Sequence, residues 1–272
     1  MHLSQTLAPL SSYSRMVGAD PWSADRRRWI LQTASLLVLP KVATAAVSPI
    51  EAAIAFDRQY IPPLFLTGRA AASPEFVERA GAAFARLEAG WPVLRDGIRS
   101  SWPEDANSRR LLAALDRDLA EARRRIDVRD WSSSHAALEP TRERLRRARQ
   151  SRGIDYALDR YTRFHEAMER LVDRGAALAG KRLSALEREG LLADFIQARA
   201  HWQAVERAAV DPKAFGMTPA RETQWRTALQ DEARTLGAVS QALRGDDDAA
   251  LLKTVGAVKA PFVRAYTAFG DG

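Results

Sequence analysis

The stretch "IDYALDRYTRFHEAMERL", residues 154–171, decides the fold class of this 272-residue chain. Its large apolar side chains recur every three or four positions, at Ile154, Leu158, Tyr161, Met168 and Leu171. Side chains at that spacing lie on one face of an α-helix. The stretch therefore predicts an amphipathic helix with one buried face.

Three further stretches carry the same apolar stripe. They contain Phe76, Ala80, Ala83, Leu87, Trp91 and Leu94; Trp225, Leu229, Leu236, Val239 and Leu243; and Leu251, Val255, Val258, Phe262 and Phe269. Turn formers that combine with helix N-caps separate them, in "SWPEDANS", "DPKAFGMTP" and "RGDDD". Because no stretch shows a convincing strand pattern, the sequence predicts an all-α fold.

The two halves of the chain share a sequence pattern. "FARLEAGWPVL", from Phe84, aligns with "FIQARAHWQAV", from Phe195, and tryptophan follows phenylalanine by seven positions in both. We interpret this as a tandem repeat of two up-and-down four-helix bundles, residues 46–152 and 153–272. Two questions stay open. The junction between the halves is either a continuous helix or a break at Gly153, and the halves form either two separate bundles or one merged bundle.

A proline pair complicates the first helix of this scheme. Pro62 and Pro63 lie inside "YIPPLFLTG" and lack the backbone N–H that a helix interior needs. We expect the first helix to end or bend near Tyr60.

Residues 1–45 have the features of an export signal. In "DRRRWILQTASLLVLPKVATAA", residues 25–46, a basic head precedes a short apolar run and a small-residue stretch that contains Ala43 and Ala45. The paired arginines followed by bulky hydrophobic residues resemble a twin-arginine signal, which implies export of an already folded protein to the periplasm. We expect cleavage after Ala45, with Met1 or Met16 as the start. The alternative is an amphipathic first helix, but the leucines are contiguous rather than periodic.

Composition excludes several classes of cofactor and of membrane protein. The chain has no cysteine, which excludes disulfides, covalently attached haem of the CxxCH kind and thiolate-held iron–sulfur clusters. Its apolar runs are shorter than the roughly 20 residues of a membrane span. We therefore predict no transmembrane span after cleavage.

The segment "FHEAMERL", residues 164–171, points to a cofactor. The second half resembles the b-type and c-prime cytochromes, which are four-helix bundles; in b-type members an early methionine and a late histidine hold the haem. "AMERL" is similar to the methionine segment and "APFVRAY" to the histidine segment, but no histidine follows His201. The resemblance implies His165 and Met168 as ligands of a non-covalent haem or a metal ion. We expect instead that both side chains fill the core and that no cofactor is bound; the ligand role is the alternative.

A basic run in the middle of the chain is the second candidate site. It contains Arg142, Arg144, Arg146, Arg147 and Arg149. Such a run would bind an exported or membrane-associated protein or an anionic lipid surface, or it is a solvated helix face. Nucleic acid is not expected, because no aromatic residues interleave to stack bases.

No catalytic residue is predicted, since neither a Gly-x-Ser-x-Gly motif nor a phosphate-binding loop occurs. The sequence predicts an exported, non-catalytic binding or accessory protein. The alternative is a periplasmic haem- or metal-binding bundle.

Overall fold

The computed structural model describes residues 47–271 and confirms the all-α prediction. Its helices are α1 (Pro49–Ala72), α2 (Val77–Ser101), α3 (Ala106–Asp127), α4 (Trp131–Gln150), α5 (Ala157–Ala177), α6 (Ala185–Glu206), α7 (Pro219–Ala242), α8 (Asp248–Ala257) and α9 (Lys259–Thr267). A short 3-10 turn (Pro74–Phe76) precedes α2. The predicted export signal and its cleavage site after Ala45 lie outside the described residues. Within these residues, none of the helices has the length and apolar character needed to cross a membrane.

Polar side chains at the predicted turns begin the helices. The Asp105 carboxylate accepts a hydrogen bond from the N–H of Ser108 at the start of α3, and the Thr218 hydroxyl caps α7 ahead of Pro219. Asp247 caps α8 in the same way. These caps satisfy N–H groups that have no partner inside the helix, which fixes where each helix begins.

Helix α1 continues through the proline pair to Ala72, so it does not end near Tyr60. In a regular helix the N–H of residue 62 would bond to the carbonyl of Arg58, and proline has no such donor. Here the Arg58 carbonyl accepts the backbone N–H of Asp271 at 2.6 Å. The end of the chain therefore replaces the hydrogen bond that Pro62 removes.

Helices adjacent in sequence pack against one another in both halves. In the first half α1 contacts α2 and α4, and α3 contacts the same two helices. In the second half α5 and α7 each contact α6, α8 and α9. In the first half, α1 to α4 form a four-helix arrangement in which each helix contacts two others. In the second half, the pair α8 and α9 occupies the position of the fourth helix. The sequence repeat itself stays a prediction.

The two halves share one hydrophobic core. Contacts of α1 with α9 and of α4 with α5 join them, and buried side chains from both belong to a single cluster. The predicted boundary between residues 152 and 153 falls in the turn after α4, where Gly153 has a φ of +68°. This left-handed backbone favours glycine and does not continue an α-helix. The helical structure is therefore interrupted at Gly153, and α4 and α5 are separate helices.

The carboxy-terminal aromatic residues form the centre of the second half. Phe269 is fully buried, and its ring packs edge-to-face on Tyr161, Phe215 and Trp225 at centroid distances of 4.8–5.7 Å. The indole N–H of Trp225 donates to the Tyr161 hydroxyl at 3.1 Å. These contacts hold the carboxy-terminal segment against α5 and α7.

Candidate functional site

A groove that opens on the surface lies between α1, α2, α7 and α9. Its main cavity has a volume of about 430 Å³, and five arginines line it: Arg69, Arg79, Arg86, Arg221 and Arg264. Two smaller cavities of about 260 and 280 Å³ share lining residues with it. We call the five arginines, with the apolar side chains between them, the arginine groove. Its size is within the roughly 300–1,000 Å³ of small-molecule sites.

The floor of the arginine groove is apolar. Pro62, Phe65 and Leu66 from α1 and Val263 from α9 form it. The Phe65 ring packs edge-to-face on the buried Tyr266 at a centroid distance of 5.5 Å. Packing on the core holds this part of the floor in place.

The arginine groove contains a carboxylate of the chain itself. The Arg58 Nε donates to the Asp271 Oδ1 at 2.9 Å, and Asp271 lines the main cavity. Burial lowers the pKa of Arg221, the charge of Asp271 partly opposes this, and Arg58 adds to the lowering. Asp271 thus supplies negative charge beside Arg58, Arg86 and Arg221.

Most of the positive charge of the groove has no carboxylate partner. Among residues 47–271, Arg69, Arg79, Arg86 and Arg221 form no ion pair, whereas Arg264 pairs with Asp231. The Arg69 guanidinium lies 3.8 Å above the centre of the Phe76 ring. Guanidinium groups that lack a carboxylate partner are suited to bind the oxygens of an anionic ligand.

The predicted cofactor ligands lie away from this groove, in the core. Met168 is fully buried, and the Nδ1 of His165 accepts a hydrogen bond from the Arg142 guanidinium while its Nε2 lies 3.2 Å from a Glu169 oxygen. Burial lowers the pKa of His165 although Glu169 opposes this, so the ring is neutral. With both ring nitrogens engaged, the pair does not fit an iron ligand set. Within the described part of the chain, no three His, Asp or Glu side chains are arranged to hold a metal.

His165 belongs to a network of polar and charged groups that joins α1, α4, α5 and α9. Lys259 of α9 pairs with Glu169 of α5 at 2.8 Å, and His135 of α4 lies 3.3 Å from Glu139 and 2.8 Å from the Leu64 carbonyl of α1. Arg142 connects the two parts through Glu139 and His165. Burial raises the pKa of Glu169, but the bonds from His165 and Lys259 outweigh it and lower the value to about 2. These contacts provide polar partners for His165 and Glu169, which lie beside the apolar stripe of α5.

The basic run of α4 is paired within the molecule. Its ion pairs are Arg142 with Glu139, Arg144 with Asp118, Arg146 and Arg147 with Glu143, and Arg149 with Asp159. Arg142 and Arg149 are buried, with 5% and 3% of their surface exposed. Only Arg144 and Arg147 are exposed. The run is therefore neither a uniformly solvated face nor a continuous basic surface.

Sequence reasoning missed the arginine groove because its residues come from distant segments. The one local signal is in α2, where Arg79 and Arg86 are seven positions apart and so share a helix face. Arg221 and Arg264 are brought beside them only by packing. No family model, curated protein or solved structure matches the chain.

Proposed function

We propose that this protein is an exported, non-catalytic binding protein that holds an anionic ligand in the arginine groove. The observation that carries the proposal is that four of the five arginines lining a cavity with an apolar floor, Arg69, Arg79, Arg86 and Arg221, form no ion pair among the described residues. In contrast, each of the five arginines of the basic run forms an ion pair, with four carboxylates between them.

The chemistry of the groove favours binding over catalysis. Arginine keeps its proton throughout the physiological pH range, so it binds anions but does not serve as a general acid or base. The one carboxylate lining the main cavity, Asp271, is held by Arg58. The groove thus offers charge and apolar surface rather than proton transfer.

Two anionic probes test the proposal, citrate as a polar anion and anilinonaphthalene sulfonate as an aromatic one. A ligand that binds the folded state raises the unfolding temperature, so at least one probe is expected to raise it at constant ionic strength. The triple variant Arg69→Gln/Arg79→Gln/Arg86→Gln should lose the shift. A matched control, Arg109→Gln/Arg117→Gln/Arg199→Gln, removes three exposed arginines outside the groove and should keep it. No shift with either probe, or an equal shift in both variants, would reject the proposal.

Export is the second part of the proposal, supported by the arrangement of residues 25–45. Fractionation of cells that produce the full chain tests it. We expect the periplasmic fraction to contain a product that begins after Ala45. A product with an intact amino terminus in that fraction would contradict the cleavage.

A further inference from the structure

We infer that the ligand of the arginine groove is a single-chain amphiphile: an acyl chain that ends in one carboxylate. The inference rests on the proposed function and adds the class of ligand. It stands on the net positive charge and the apolar floor of the groove.

The charge of the groove favours an anionic ligand. Five arginines line the main cavity, and within residues 47–271 only Arg264 among them forms an ion pair, with Asp231. The single carboxylate of the described chain that lines the cavity, Asp271, is held by Arg58. An added anion is therefore attracted by more positive charge than negative charge repels it.

The apolar floor places the rest of the ligand. Phe65, Leu66 and Val263 line the same cavity as the four unpaired arginines. A ligand consisting of an anion alone leaves this surface in contact with water, whereas an acyl chain covers it and gains the free energy of apolar burial. The main cavity of about 430 Å³ suits one chain better than a two-chain lipid.

The carboxy-terminal segment bounds the groove and limits the length of the bound acyl chain. Gly270 packs so closely on Pro62 that a Cβ on the glycine would lie 2.6 Å from the proline Cδ. Asp271 follows it and is tied to α1 through both its backbone N–H and its carboxylate. This segment forms a wall, so we expect a chain of medium length to bind better than a long one.

Isothermal titration of the full chain with decanoate, decanol and acetate tests the inference. We expect decanoate to bind at least tenfold more tightly than either of the other two, because only decanoate satisfies both the arginines and the floor. The Arg69→Gln/Arg79→Gln/Arg86→Gln variant should bind decanoate at least tenfold more weakly. The Arg109→Gln/Arg117→Gln/Arg199→Gln control should match the unmodified chain.

A floor variant separates this inference from the proposed function. Leu66→Asn should weaken decanoate binding and leave any citrate-induced rise in the unfolding temperature unchanged, which also shows that the variant folds. Vesicles of phosphatidylglycerol, compared with phosphatidylcholine, serve as the lipid-surface arm, and we expect binding to neither.

The remaining outcomes overturn the inference in distinct ways. Equal affinity for acetate and decanoate, or citrate binding without decanoate binding, rejects the acyl chain while anion binding stands. Equal affinity for decanol and decanoate rejects the role of the arginines. Binding to phosphatidylglycerol vesicles without decanoate binding identifies a membrane surface as the ligand instead. If none of the anions binds, the proposed function fails as well.

Discussion

Glu232 of α7 gives the sharpest prediction about stability. The side chain is fully buried, and although the backbone N–H of Phe262 lies near, neither carboxyl oxygen has a partner with hydrogen-bond geometry among the described residues. Burial raises the pKa of Glu232 from 4.5 to about 8, and the backbone N–H of Phe262 and the charge of Arg264 oppose this only in part. The carboxyl is therefore protonated in the folded protein at neutral pH and ionised in the unfolded chain. We predict that Glu232→Gln removes this difference in protonation between the folded and the unfolded state.

The sign and the size of the expected pH effect on the free energy of unfolding follow from proton linkage. Because the folded pKa lies above the unfolded pKa, the folded state binds more protons between the two values and stability falls as pH rises through that window. One pKa unit corresponds to about 1.4 kcal/mol, so the free energy of unfolding should fall by about 3 kcal/mol between about pH 5 and pH 7.5 through this residue alone. The glutamine variant cannot titrate and should lack this component. Its own buried amide adds a cost that does not depend on pH.

Urea denaturation followed by far-UV circular dichroism at several pH values measures the effect. The informative quantity is the difference between the unmodified chain and Glu232→Gln, since other titrating groups cancel in it. Glu189→Gln, at an exposed position of α6, is the control and should run parallel to the unmodified chain. Parallel profiles for Glu232→Gln as well would show that this carboxyl does not stay protonated in the folded state.

Three further predictions concern the chain terminus, the core and the export signal. Gly270→Ala places a Cβ 2.6 Å from Pro62 and should lower the free energy of unfolding by about 1–3 kcal/mol, as measured by urea denaturation; an unchanged midpoint would show that the end of the chain is not packed on α1. Met168→Leu should cost less than about 1.5 kcal/mol and Met168→Ala about 2–5 kcal/mol if the side chain only fills the core, and a haem absorption band in the unmodified chain that Met168→Leu abolishes would instead restore the ligand role. Replacing Arg26 and Arg27 with lysine should retain the protein in the cytoplasm in a fractionation assay, whereas unchanged periplasmic recovery would contradict the twin-arginine interpretation.

The sequence by itself determined the fold class and many of the helix ends, because these depend on neighbours along the chain. The apolar stripe from Leu158 to Leu171 requires a helical period. Asp105 and Thr218 cap helices through hydrogen bonds to residues three positions away. Such local interactions are present in the sequence pattern itself.

Packing decided what these local rules left open. Pro62 and Pro63 look like a helix end until the N–H of Asp271, more than 200 positions away, bonds to the Arg58 carbonyl. The arginines of α4 look like a basic surface until Glu139, Glu143, Asp118 and Asp159 pair with them.

The arginine groove depends on packing most of all. Its residues lie on α1, α2, α7 and α9, and no sequence period connects them. The sequence thus determined the interactions between residues a few positions apart. Which distant charges neutralise one another, and which lie together unpaired in a groove, depends on distances that only the tertiary structure sets.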